Sequence, residues 1–204
     1  MKLLQYTVDI DVARPISSVI PSLDGVVLGA LAGTTDPLTL SSVHRLAGAG
    51  SLSGVRRVLL RLVGAGVVCA VPGGYVLNRE HVAFGPIVSL SQLWREVFDR
   101  IRVEVSGWGT PPLLVGVYGP AARRDGDDTS DIDLLVISDG VEAADQAVEL
   151  ASWVERWTGN QTHVTVVSVA DLRRMGRAGE AILGEWERDL VVIAGSRDGL
   201  KAAG

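Results

Sequence analysis

The stretch from Val117 to Ile137, V-Y-G-P-A-A-R-R-D-G-D-D-T-S-D-I-D-L-L-V-I, constrains this chain more than any other. An apolar run, Leu113 to Tyr118, turns at Gly119-Pro120. A polar loop with two arginines and three aspartates follows, and a second apolar run begins at Asp131. Asp131 and Asp133 stand two residues apart at its start. Alternate side chains of a β-strand leave the same face, so the spacing brings both carboxylates to one place. Converging carboxylates repel each other unless a cation lies between them, and Mg²⁺ accepts oxygen ligands of this kind. Ile132 then points into a core. The plainer reading of the same residues is a surface loop before a strand with an acidic start.

These residues resemble the nucleotidyltransferase signature of the DNA polymerase β superfamily. The small bacterial "minimal" nucleotidyltransferases write it G-S-x-A-R-G-D-x-x-x-x-S-D-I-D-L-L-V. The match covers Gly119, Ala122, Arg123, Asp125, Ser130, Asp131, Ile132 and Asp133 to Val136. The resemblance implies a catalytic and metal-holding pair, Asp131 and Asp133, with Mg²⁺ or Mn²⁺ as the ion. It also implies that Gly119, Pro120, Arg123 and Ser130 surround the triphosphate of ATP or another NTP. Three positions depart from the pattern. Pro120 replaces the family's serine, which removes a hydroxyl and a backbone N–H from the phosphate grip. Arg124 stands in place of a glycine. The family's third carboxylate helps ligate metal or acts as general base, and it belongs on a following strand. The strand here is Thr162 to Val169, where the length of the gap decides whether His163, Thr165 or Ser168 takes that place, and none is acidic. Metal and nucleotide binding fit this pattern better than turnover does.

The front of the chain has a different character. Ser22 reads as a helix N-cap, with Leu23, Val26, Val27, Ala30 and Leu31 on one face. Leu40 to Leu46 reads as a second helix with Val43 and Leu46 inward. Gly48-Ala49-Gly50 is a tight turn, and Ser51 caps a third helix to about Val63, with Val55, Val58, Leu59 and Leu62 as its apolar stripe. Val67–Ala70 and Tyr75–Asn78 read as a hairpin around Pro72-Gly73-Gly74. Helices followed by a hairpin give the order of a winged helix-turn-helix. Residues 53–68 also resemble the wording of bacterial MarR- or ArsR-like regulators, S-G-V-R-R-V-L-x-R-L-V-x-x-G-V-V. That resemblance implies double-stranded DNA as partner, with the third helix in the major groove. Ser51, Ser53, Arg56, Arg57 and Arg61 would then face DNA, with Arg45 and Arg79 on phosphates. A solvated helix face, or a module used only for protein interaction, is the alternative.

The expected organisation is α+β in three parts. Residues 1–84 form a winged helix-turn-helix domain and 85–109 a linker helix. Residues 110–204 form an α/β nucleotidyltransferase-fold domain with a mixed sheet. The linker is expected to hinge at Phe84-Gly85-Pro86 and run from Ile87 to about Val105. Its stripe of Leu90, Leu93, Trp94, Val97, Phe98 and Ile101 is wide enough for a homodimer contact. Beyond the Asp-x-Asp strand, Val141–Trp157 reads as a helix with Ala144, Ala147, Val148, Ala151, Val154 and Trp157 inward. Short helices at 171–175 and 180–187 and a strand at Leu190–Ala194 complete the domain.

Charge divides along the same line. Residues 1–106 hold 10 basic against 8 acidic side chains (+2), and residues 107–204 hold 9 against 16 (−7). One cysteine, Cys69, allows no internal disulfide and fits a reducing cytoplasm. The N-terminal residues do not read as a signal peptide, and no apolar run approaches the ~20 residues of a membrane span. The function expected is a DNA-binding transcriptional regulator with a degenerate nucleotidyltransferase domain that binds Mg-nucleotide or mediates dimerisation. The alternative is an active enzyme moving NMP from NTP to a protein, RNA or small-molecule hydroxyl.

Overall fold

The computed structural model describes residues 11, 14–123, 125–126 and 130–201. Arg124, Asp127 and Asp128 of the polar loop lie outside the described residues. The chain is mixed α+β and forms two compact units, one of Arg14–Leu93 and one built on residues from Trp94 onward. Among the described residues no helix is long and apolar enough to cross a membrane.

The first unit begins with a short helix α1 (Pro15–Val19), which the sequence pattern did not reveal. Helix α2 (Leu23–Ala32), α3 (Leu40–Ala47) and α4 (Leu52–Gly64) follow. Local chemistry sets the turns. Thr39 caps α3 by accepting from the Ser42 N–H, and Ser51 caps α4 by accepting from the Gly54 N–H. Between them Gly48 has φ 59° and Gly50 φ 70°, left-handed values that favour glycine. The hairpin β1 (Val68–Val71) and β2 (Gly74–Leu77) pairs antiparallel, and helix α5 (Phe84–Ser91) closes the unit. Val27, Leu31, Val43, Val55, Leu59 and Leu62 fill its core together with Val68 and Ile87. Leu46, expected inward, is instead exposed (51%). Val43 and Ala47 take the buried side of α3.

The expected linker helix is two helices. Phe84-Gly85-Pro86 is the first turn of α5 and not a hinge. Helix α5 ends at Ser91, whose hydroxyl donates back to the Ile87 carbonyl at 2.8 Å, a local bond that competes with helix continuation. Helix α6 (Leu93–Ser106) then starts a new element. The two halves serve different cores. Ile87 and Leu90 pack with α2–α4, whereas Trp94, Val97, Ile101 and Val105 pack on the sheet of the second unit. Leu90, Trp94, Val97, Phe98 and Ile101 of the stripe offered to a second copy are thus packed in these two cores.

That sheet has four strands: β3 (Leu114–Tyr118), β4 (Ile132–Ile137), β5 (Thr162–Val167) and β6 (Val191–Gly195). Their order is β5-β4-β3-β6, with β4 parallel to β5 and the other pairs antiparallel, so the sheet is mixed as expected. A short helix α7 (Gly119–Arg123) follows β3, and α8 (Ala143–Thr158) links β4 to β5. Helices α9 (Val169–Ala178) and α10 (Ala181–Asp189) precede β6, and α11 (Asp198–Lys201) follows it. Even-numbered residues of β4 pack under α6 and α8, and Leu135 and Ile137 pack with Leu172 and Trp186 of α9 and α10. On α8 the buried face is Ala143, Ala147, Leu150, Ala151 and Val154. Ala144 and Val148, expected inward, are exposed, Val148 by 60%. Trp186 is core, while Trp153 and Trp157 are half-buried and stack with centroids 6.2 Å apart.

Candidate functional site

The carboxylate pair sits where β3 and β4 meet. Tyr118 lies opposite Asp133, and Asp133 lies beside His163 of β5, so the three residues form one row across the sheet. Asp131 is two residues before Asp133 and shares its side. His163 Nε2 lies 3.3 Å from Asp131 Oδ2, with both side chains about half exposed. Asp133 is half-buried. Burial raises its carboxyl above the ordinary value, Asp131 and Glu185 of α10 push in the same direction, and His163 opposes them.

Gly119 is fitted to this carboxylate. Its φ is +71°, and a Cβ there would lie 2.6 Å from Asp133 Oδ2. Glycine is therefore required on two counts, conformation and space. Asn160 fixes the other approach. It is fully buried, and its side-chain amide donates to the Ser130 carbonyl at 3.1 Å. Ile132 N–H also bonds the Gln161 carbonyl at 2.9 Å, so the start of β4 is held on both sides of Asp131.

Arg123 is engaged by protein carboxylates. It bonds Asp125 and Asp189, each at 2.9 Å, and Asp189 also receives Arg188 at 2.9 Å. Hydrogen bonds to Asp125 and Asp189 raise the Arg123 pKa. Two of its five N–H donors are thereby taken, and the two carboxylates offset its charge toward a phosphate. Pro120 lies in α7, where its carbonyl accepts from Asp125 N–H at 3.3 Å.

Two of the three positions aligned with a third carboxylate have other structural work. Thr165 Oγ1 lies 3.2 Å from the Tyr118 hydroxyl in a hydrogen bond. Ser168 lies beyond the end of β5 and caps α9 in a capping box with Asp171. His163 alone stands beside the pair. Among the described residues no group of three or more His, Cys, Asp or Glu is gathered to hold a metal ion. Two carboxylates on one face, one of them half-buried beside the other, still fit Mg²⁺, which commonly takes one or two carboxylates and keeps water or phosphate in its other positions.

The second candidate surface is α4. Its outward stripe is Ser53, Arg56, Arg57, Leu60 and Arg61, all exposed, and the helix contains no acidic residue. Arg56 and Arg57 have no ion pair among the described residues. Arg61 is ion-paired with Asp24 of α2. Ser51 Oγ is committed to the cap and to the Ser53 hydroxyl at 3.0 Å, leaving Ser53 the freer of the two. His44 Nε2 meets the Gly50 carbonyl at 3.1 Å and braces the turn between α3 and α4. Arg45 is exposed on α3. Arg79 is exposed after the hairpin, whose own residues carry no charge.

No protein family, curated sequence or solved structure matches this chain.

Glu185, Asp189 and Asn160 are the site neighbours that sequence reasoning missed. Glu185 and Asp189 reach the site only through the packing of α10 beside α7 and β3. Asn160 did carry a signal, since it follows Gly159, whose φ of 85° ends α8, but its inward amide has none.

Proposed function

We propose that this protein is a DNA-binding transcriptional regulator whose C-terminal unit binds a divalent cation and a nucleotide without efficient turnover. The observation that carries the reading is the outward stripe of α4. In a chain of net charge −5, that helix presents three arginines and no carboxylate on its solvent side. A helix capped at a tight turn and bearing exposed arginines and a serine suits the major groove, where arginine reads guanine and phosphate contacts set register. Arg56 and Arg57 are the leading contacts. Arg61 must first release Asp24.

In the C-terminal unit Asp131 and Asp133 would hold Mg²⁺, which would neutralise the triphosphate of a bound NTP. Gly119 lets the chain pass close to Asp133, and Asn160 keeps the start of β4 in place. The absence of a carboxylate at Thr165 and Ser168 favours binding over catalysis, while the proline at 120 and the engagement of Arg123 by Asp125 and Asp189 weaken the phosphate grip itself. The test is selection from random-sequence duplexes. The reading expects an enriched site that Arg56→Ala and Arg57→Ala each weaken. A pool that stays unenriched would remove the regulator.

A second reading has its own support. His163 Nε2 stands 3.3 Å from Asp131, beside a complete Asp-x-Asp pair, which suits an active nucleotidyltransferase. It requires rapid pyrophosphate release from Mg-NTP with a protein, RNA or small-molecule hydroxyl as acceptor, whereas the regulator reading expects slow release or none.

A further inference from the structure

Helix α4 carries two side chains used neither by the core nor by the arginine contacts proposed above. Leu52 and Leu60 are 45% and 54% exposed. Among the described residues neither packs in the core of the first unit, to which the same helix gives Val55, Val58, Leu59 and Leu62. A single exposed leucine needs no explanation. These two stand at i and i+8 with Arg56 between them at i+4, so leucine, arginine and leucine form one exposed ridge along the helix.

The charge on the ridge decides what can cover it. Arg56 and Arg57 have no ion pair among the described residues, and α4 contains no acidic residue. A two-fold contact between copies, centred on this ridge, would pair Leu52 with Leu60 and set Arg56 against itself. A duplex instead offers phosphates and guanine to the arginines. On the major-groove edge of the bases the 5-methyl group of thymine is the apolar feature, set among donors and acceptors. A leucine pressed on any other edge would strip water from polar atoms without replacing their hydrogen bonds. We propose that Leu52 and Leu60 select 5-methyl pyrimidines on the two sides of a guanine bound by Arg56, an inference that rests on the regulator reading. Leu52 and Leu60 lie about 12 Å apart along the helix axis, a span of about three or four base pairs at the 3.4 Å rise of the duplex.

The test is selection from random duplexes with the full chain, followed by replacement of each thymine of the enriched site by deoxyuridine, which removes only the methyl group. Wild type should lose about fourfold in affinity at each of two positions, the loss expected for one buried methyl. Leu52→Ala should erase the discrimination at one position and Leu60→Ala at the other, a coupling between side chain and base that a merely structural leucine would not produce. A parallel pool carrying 5-methyl-dC separates the two sources of the methyl. Thymine gives the same site from both pools, and 5-methylcytosine gives a cytosine-containing site from the second alone. An enriched site that binds equally well without its 5-methyl groups, or discrimination that survives in both alanine variants, would overturn this inference and leave the regulator reading standing. Two pools that both stay unenriched would overturn the two together. Concentration-dependent dimerisation that both alanine variants abolish would assign the ridge to a second copy and overturn the inference as well.

Discussion

Asp133 holds a charge in a place that disfavours it. Its carboxyl is half-buried, has Asp131 two residues away and Glu185 within electrostatic reach, and is answered only by His163. Such a group is tolerated where a cation is expected to neutralise it. Titration calorimetry in the presence of nucleotide should therefore show Mg²⁺ or Mn²⁺ uptake that Asp131→Asn abolishes. The same variant should keep its circular dichroism and urea midpoint, because removing one of two repelling carboxylates relieves charge. A wild type that takes up no metal with nucleotide present would make the pair vestigial. Gly119 gives a second prediction at this scale. Alanine there combines a left-handed φ with a Cβ 2.6 Å from Asp133 Oδ2. Gly119→Ala should cost about 1–3 kcal/mol in urea unfolding, and an unchanged midpoint would mean that the loop and Asp133 move aside freely.

Among the elements, those governed by local chemistry were legible and those governed by partners were not. The cap at Ser51 and the stripe Val55, Val58, Leu59, Leu62 announce α4, and all four residues are buried or half-buried there. The Asp-x-Asp pair and the apolar run behind it announce β4. The break at Gln92 has no such mark, because the apolar period runs on through Leu90, Leu93 and Trp94. Only the separation of the two cores shows that the stripe serves two masters. Leu46 and Val148 fail for a related reason, since each lies on the flank of an amphipathic helix, where period alone does not decide which side is covered. The strand-to-helix boundary at Ser168 was readable. Ser168 followed by Asp171 is a capping box, and the run of β-branched residues before it drew the strand two residues too far. That box makes a pH prediction. Hydrogen bonds from the Ser168 hydroxyl and backbone hold the Asp171 carboxyl below its ordinary value, with Arg174 adding to them. A carboxyl lowered by folding stabilises above the unfolded value of about 4, and that contribution disappears as pH falls through the lowered folded value. Asp171→Asn should lower the urea midpoint at pH 7 and flatten the acid limb of its pH profile. Equal losses for wild type and variant on acidification would show that the box carries no charge-dependent stability.

For the molecule as a whole, charge follows function in the proposed reading. The mildly basic front contains the arginines of α4, and the acidic back contains the carboxylates offered to a cation. Nucleic acid is attracted to the first and repelled by the second, which makes ionic strength the informative variable. Each phosphate neutralised by a protein cation releases counterions and contributes about −0.9 to the slope of log K against log salt. The most direct measurement is that slope on an enriched duplex for wild type and Arg57→Ala. The account predicts a clearly negative wild-type slope that becomes shallower by about one in the variant if Arg57 holds a phosphate. If Arg57 reads a base edge, the slope is preserved and about 1–3 kcal/mol is lost at one base position. Binding that ignores both salt and Arg57 would contradict it.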